Sequence, residues 1–94
     1  MTSKPKIKKT FVIANDKGLH TRPATELVKC AQVFKAQIYL GYEGLSVNAK
    51  SLLGILMLAA ARGAKISIEA EGQDAEDAVN AIVRLAHDKF NINY

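Results

Sequence analysis

From Lys65 to Glu71 the chain alternates without a break, with Ile66, Ile68 and Ala70 on one side and Lys65, Ser67, Glu69 and Glu71 on the other. A period of two describes a strand with one face buried and one face in water. Ala36, Ile38 and Leu40 alternate in the same way with Gln37, Tyr39 and Gly41. Parallel sheets are covered on both faces and read as near-continuous apolar runs, so strands with a polar face point to an antiparallel sheet covered on one side only. Every helix of the chain must then pack in a single layer.

The remaining segments fit that layer. Thr10 to Ala14 is rich in β-branched and aromatic residues and reads as a first strand, closed by the polar turn Asn15-Asp16-Lys17-Gly18. A helix is expected from Thr21 to Gln32, with Ala24, Leu27, Val28 and Ala31 on one face and Phe34 anchoring the loop that follows. Tyr42-Glu43-Gly44 turns the chain into a short return strand, Leu45-Ser46-Val47. Ser51 is a preferred N-cap and starts a second helix, whose Gly54 weakens it by about 1 kcal/mol relative to alanine. After the alternating strand, Gly72-Gln73 breaks the chain and Asp74 is expected to cap a third helix with Ala75, Ala78, Val79, Ile82, Leu85 and Ala86 inward. The order is β-α-β-β-α-β-α, a two-layer α/β sandwich. Residues 1–9 read as a basic, partly disordered lead, 10–88 as a single domain and 89–94 as a short tail.

Charge and composition exclude several function classes. Of 13 basic residues, Lys4, Lys6, Lys8 and Lys9 lie in the first nine positions, and beyond them nine basic residues match nine acidic ones. A short basic lead without interleaved aromatics is a weak nucleic-acid signal. The longest apolar stretch, Leu52 to Ala61, falls far short of the roughly 20 residues that span a bilayer. Cys30 is the single cysteine, so no internal disulfide forms, and a reduced, cytoplasmic setting is expected. His20 and His87 have no second ligand at metal-binding spacing, and neither a metal nor a cofactor is expected.

The chemistry concentrates in Gly18-Leu19-His20-Thr21-Arg22-Pro23-Ala24. Gly18 permits a tight turn, and Pro23 is tolerated only in the first turn of a helix, where a missing amide hydrogen costs nothing. His20 and Arg22 therefore stand at a helix N-terminus, where free N–H groups and the macrodipole favour an anion. Neutral imidazole is a good nucleophile near pH 7, and phosphoryl transfer needs mainly positioning and charge stabilisation. The plainer alternative is a helix-capping or surface histidine. His87 fits that role, near the negative end of the third helix.

This motif, together with Lys50-Ser51-Leu52-Leu53-Gly54 and the element order, resembles the histidine-containing phosphocarrier (HPr) family of the phosphoenolpyruvate-dependent sugar phosphotransferase system. The resemblance spans about Lys8 to Asp88. It implies strand order 1-4-2-3 with three helices on one face, and a phosphoryl group accepted on His20 Nδ1 from enzyme I and passed to enzyme IIA, with no enzymatic turnover of its own. Arg22 corresponds to the family's active-centre arginine. Ser51 corresponds to the serine phosphorylated by HPr kinase/phosphorylase where that enzyme exists, a modification that signals to a transcriptional regulator. Serine is also an ordinary N-cap. The second helix carries more large apolar groups than it can bury, and Thr21, Leu52, Leu53 and Leu56 are the expected partner-binding residues. A monomer is expected. Lys17 departs from the small polar residue common in the family, and the chain runs past the expected end of the third helix, so a contact between a terminal carboxylate and the active centre, proposed for some relatives, is not carried over. Two other readings stay open: a mainly regulatory relative acting through Ser51, and a small nucleic-acid-binding domain.

Overall fold

The computed structural model describes residues 5–94. Four strands, β1 (Lys6–Val12), β2 (Gln37–Tyr42), β3 (Leu45–Asn48) and β4 (Lys65–Glu71), form one antiparallel sheet in the order β1-β4-β2-β3. Three helices, α1 (Thr21–Gln32), α2 (Leu52–Met57) and α3 (Ala75–His87), connect and cover it, and a 3-10 turn follows at Lys89–Asn91. The order and the open-faced sandwich are those expected.

Connectivity follows from the pairing. Strands β1 and β2 both run antiparallel to β4, so they are parallel to each other and α1 must cross over between them. Strands β3 and β4 flank β2 in the same relation, with α2 as their crossover. Two interleaved crossovers of one hand land on the same face of the sheet. The alternation of β4 is realised there, with Ile66, Ile68 and Ala70 fully buried. Leu27 of α1, Ile55 of α2, and Val79 and Ile82 of α3 meet them in the core. No helix among the described residues is long and apolar enough to cross a membrane.

Four expectations need correction. The first strand starts at Lys6, not Thr10, so the basic lead beyond Pro5 is sheet. Ile7 and Phe11 face the core side, Lys6 pairs with Glu69 at 2.8 Å on the open face, and Lys9 Nζ donates to Asn80 Oδ1 of α3 at 2.7 Å. Acidic partners contributed by β4 make strand of what reads locally as a solvated charge run. Residues 1–4 of that lead lie outside the described residues.

The second concerns Asn15: the polar turn from Asn15 to Gly18 forms as expected, with Gly18 N donating to Asn15 O at 2.9 Å, but Asn15 itself is fully buried. Asp74 is the third. It stands at the N-cap of α3 without a side-chain cap bond, and its carboxylate instead accepts from the backbone N–H groups of Lys35 and Ala36, both at 2.8 Å.

The fourth is the tail. Lys89, Phe90 and Asn91 all have left-handed φ, +55°, +55° and +62°, a conformation costing roughly 1–2 kcal/mol per residue without glycine. The turn holds because it drives the Phe90 side chain fully into the core, edge-on to Phe11 with ring centroids 6.3 Å apart. Asn15 Nδ2 braces it from below, donating to the main-chain oxygens of Lys89 at 3.0 Å and Ile92 at 3.3 Å.

Candidate functional site

His20 is placed by two loops that meet at the end of the sheet. Beyond β1, Ile13 N donates to Ala64 O at 2.9 Å and Gly63 N donates to Ile13 O at 2.7 Å, which binds the β1–α1 connection to the α2–β4 connection. Gly18 turns at φ +70°, and a Cβ on it would sit 2.5 Å from Ala60 O. That closeness lets the next residue, Leu19, donate to Ala60 O at 2.8 Å and bury its side chain. His20 is thus held immediately before α1.

Helix α1 begins with His20 as the N-cap in extended conformation, and no side chain caps it. The first intrahelical bond runs from Ala24 N to His20 O at 2.9 Å, and buried Pro23 sits in the first turn as expected. Thr21 and Arg22 are exposed on that turn. The positive helix end is open to an anion beside the imidazole.

The imidazole is half-buried, and its Nε2 lies 3.2 Å from the main-chain oxygen of Tyr94. A main-chain oxygen only accepts, so this contact suits the neutral tautomer with the proton on Nε2 and the lone pair on Nδ1. The Tyr94 ring stacks on the imidazole with centroids 5.6 Å apart and planes 24° from parallel. Arg22 Nη1 donates to the Tyr94 hydroxyl. Tyr94 thus lies against His20 and Arg22, a contact to which the resemblance was not extended. Local pattern could not reveal this: Tyr94 lies beyond the last periodic helix, and its partners are more than 70 positions away.

Ser51 caps α2, its Oγ accepting from Gly54 N at 3.0 Å. Gly54 now has a reason: a Cβ there would lie 3.3 Å from both Ser51 Oγ and Val47 Cβ. Leu53 is 70% exposed and Met57 60%, while Leu52 is 36% exposed. Leu56 is half-buried and packs against the core. The solvent-facing apolar surface of α2 is therefore formed by Leu52, Leu53 and Met57, with Leu56 beneath it.

Comparison with known proteins agrees with this geometry. A family model described as the PTS HPr component phosphorylation site matches residues 7–88. The solved structure of HPr-C-His from Thermoanaerobacter tengcongensis is 39% identical, with a TM-score of 0.89 over 94% of this chain and 99% of that one. The phosphocarrier protein HPr from Bacillus anthracis is also 39% identical, with a TM-score of 0.81 over 84% of this chain and 94% of its own. The catabolite repression protein Crh of Bacillus subtilis, described as a dimer with a swapped domain, is 31% identical with a TM-score of 0.72, covering 79% and 85%.

Proposed function

The chain belongs to the HPr family of phosphotransferase-system phosphocarriers, proteins that carry rather than catalyse, and on that premise we propose that His20 is its phosphoacceptor. The Nδ1 lone pair attacks phosphorus on phosphorylated enzyme I and forms the N–P bond. The bond from phosphorus to the donor breaks, and its electron pair leaves with the donor. The ring then carries Nδ1–P and keeps Nε2–H, so that neutral imidazole is the group that leaves when the phosphoryl group is passed on. Transfer to enzyme IIA repeats the displacement with His20 as the leaving group. The carrying observation is a single imidazole at an uncapped helix N-terminus, its Nε2 turned to an acceptor oxygen. Arg22 and the free helix N–H groups stabilise the transferring charge.

Partners dock on α1 and α2 in this reading, through Thr21, Leu52 and Leu53, with Leu56 and Met57 completing the apolar patch. Phosphorus NMR after incubation with phosphoenolpyruvate and enzyme I is expected to show one acid-labile phosphohistidine on Nδ1. His20→Ala should abolish it and Arg22→Ala should slow it. Acceptance at the wild-type level by His20→Ala would falsify the assignment.

Likeness to Crh favours a second, regulatory use of Ser51. A phosphate there adds roughly −1.5 to −2 charges at a helix N-terminus, which tolerates them, and it repels acidic partner surfaces. HPr kinase/phosphorylase with ATP should then place one phosphate on Ser51 and slow acceptance at His20. A Ser51 left unmodified under those conditions removes this second role.

A further inference from the structure

The Tyr94 ring is a meeting point that neither the family pattern nor the transfer step requires. On one side it stacks on the His20 imidazole. Lys17 Nζ lies 5.0 Å from its centroid and Arg22 Cζ 5.5 Å, both within cation–π range. Its hydroxyl accepts from Arg22 Nη1, and its main-chain oxygen accepts from Lys17 N at 3.3 Å. The segment that presents it is anchored independently, by buried Phe90 and by the Asn15 amide. One aromatic side chain thus touches the nucleophile and both cations flanking it.

We propose that Tyr94 is a positioning residue of the phosphoacceptor site, orienting the His20 ring and gathering Lys17 and Arg22 beside it. Flexible lysine and arginine side chains spread their charge over many rotamers. Contact with one aromatic ring restricts both and keeps them close to the imidazole. The hydroxyl bond also gives Arg22 a resting partner in the unphosphorylated protein, which a phosphoryl group, as the stronger acceptor, displaces. Lys17 becomes part of the site by the same contact, as a second cation for the phosphoryl group. This inference rests on the phosphocarrier reading.

Tyr94→Leu keeps an apolar side chain without a π face, whereas Tyr94→Phe keeps the ring and loses only the hydroxyl. With each variant as the varied substrate of enzyme I, Tyr94→Leu should lower kcat on the order of tenfold with KM unchanged, as misorientation of a reactive group does. Tyr94→Phe should restore kcat to near the wild-type value. In parallel, proton NMR should show the His20 ring protons shifted upfield by the stacked ring in wild type and Tyr94→Phe, and not in Tyr94→Leu. Wild-type kcat in Tyr94→Leu, a loss confined to KM, or His20 ring shifts identical in all three proteins would each overturn the proposal. If wild type itself takes no phosphoryl group from enzyme I, the carrier reading fails, and the NMR comparison alone decides whether Tyr94 orients His20.

Discussion

Gly18 shows how little a residue needs to carry to position a reactive group. Its φ of +70° and its approach to Ala60 O leave no room for a methyl, and the neighbouring Leu19 N–H depends on that approach. Gly18→Ala should destabilise the domain by more than about 1 kcal/mol, seen as a fall in Tm of at least about 4 °C. Phosphoryl acceptance should slow with it, because His20 follows Leu19 directly. An unchanged melting curve would mean that the loop relaxes without cost. Cys30, by contrast, lies half-buried on α1 with its thiol pushed above the usual value by burial, which favours the protonated thiol over the thiolate.

At the scale of elements, the short helix α2 and the start of α3 are tied down in different ways. Helix α2 spans only six residues, too few to be stable alone, so its cap matters. Ser51→Ala should cost about 1 kcal/mol, read as a shift in urea midpoint with an unchanged slope. Asp74 joins α3 to the α1–β2 loop. Its carboxyl is held below its ordinary value of 3.8, first by the N–H of Lys35 and then by that of Ala36. A lowered value in the folded state means that the stabilisation is complete above the ordinary value and is lost as pH falls through the lowered one. Asp74→Asn should therefore be less stable than wild type at neutral pH, and the gap should narrow on acidification below about pH 4. A gap that stays constant with pH would show that the ionised carboxylate contributes nothing special.

Across the whole molecule, Phe90 links stability to the site. It is fully buried against Phe11, and the turn that carries it also presents Tyr94 to His20. Phe90→Ala should cost about 3–5 kcal/mol, a large share of the roughly 5–15 kcal/mol available to a small domain. It should also release the stacked ring, so the upfield shift of the His20 ring protons would vanish with Tyr94 still in place. Urea denaturation and proton NMR on the same sample test both effects. A destabilised variant that keeps the shift would show that segment 88–94 is held by Asn15 rather than by Phe90.

Local order was legible in the sequence wherever a period or a cap carried it. The alternation of Ile66, Ile68 and Ala70 determined the open-faced sheet, Ser51 determined the start of α2, and Gly18 to Ala24 determined a histidine at an uncapped helix N-terminus. These signals lie within a few residues, where backbone geometry dictates which side chains share a face. Buried Asn15, the diverted Asp74 carboxylate, the strand character of Lys6 to Lys9 and the return of Tyr94 to His20 were decided only by tertiary structure. Each depends on a partner brought close by the fold: Asn15 and Lys89 are 74 positions apart, and Asp74 and Lys35 are 39 apart. A polar or charged side chain settles where it finds hydrogen-bond partners, and the groups that accept from Asn15 Nδ2 and donate to the Asp74 carboxylate come from elsewhere in the chain.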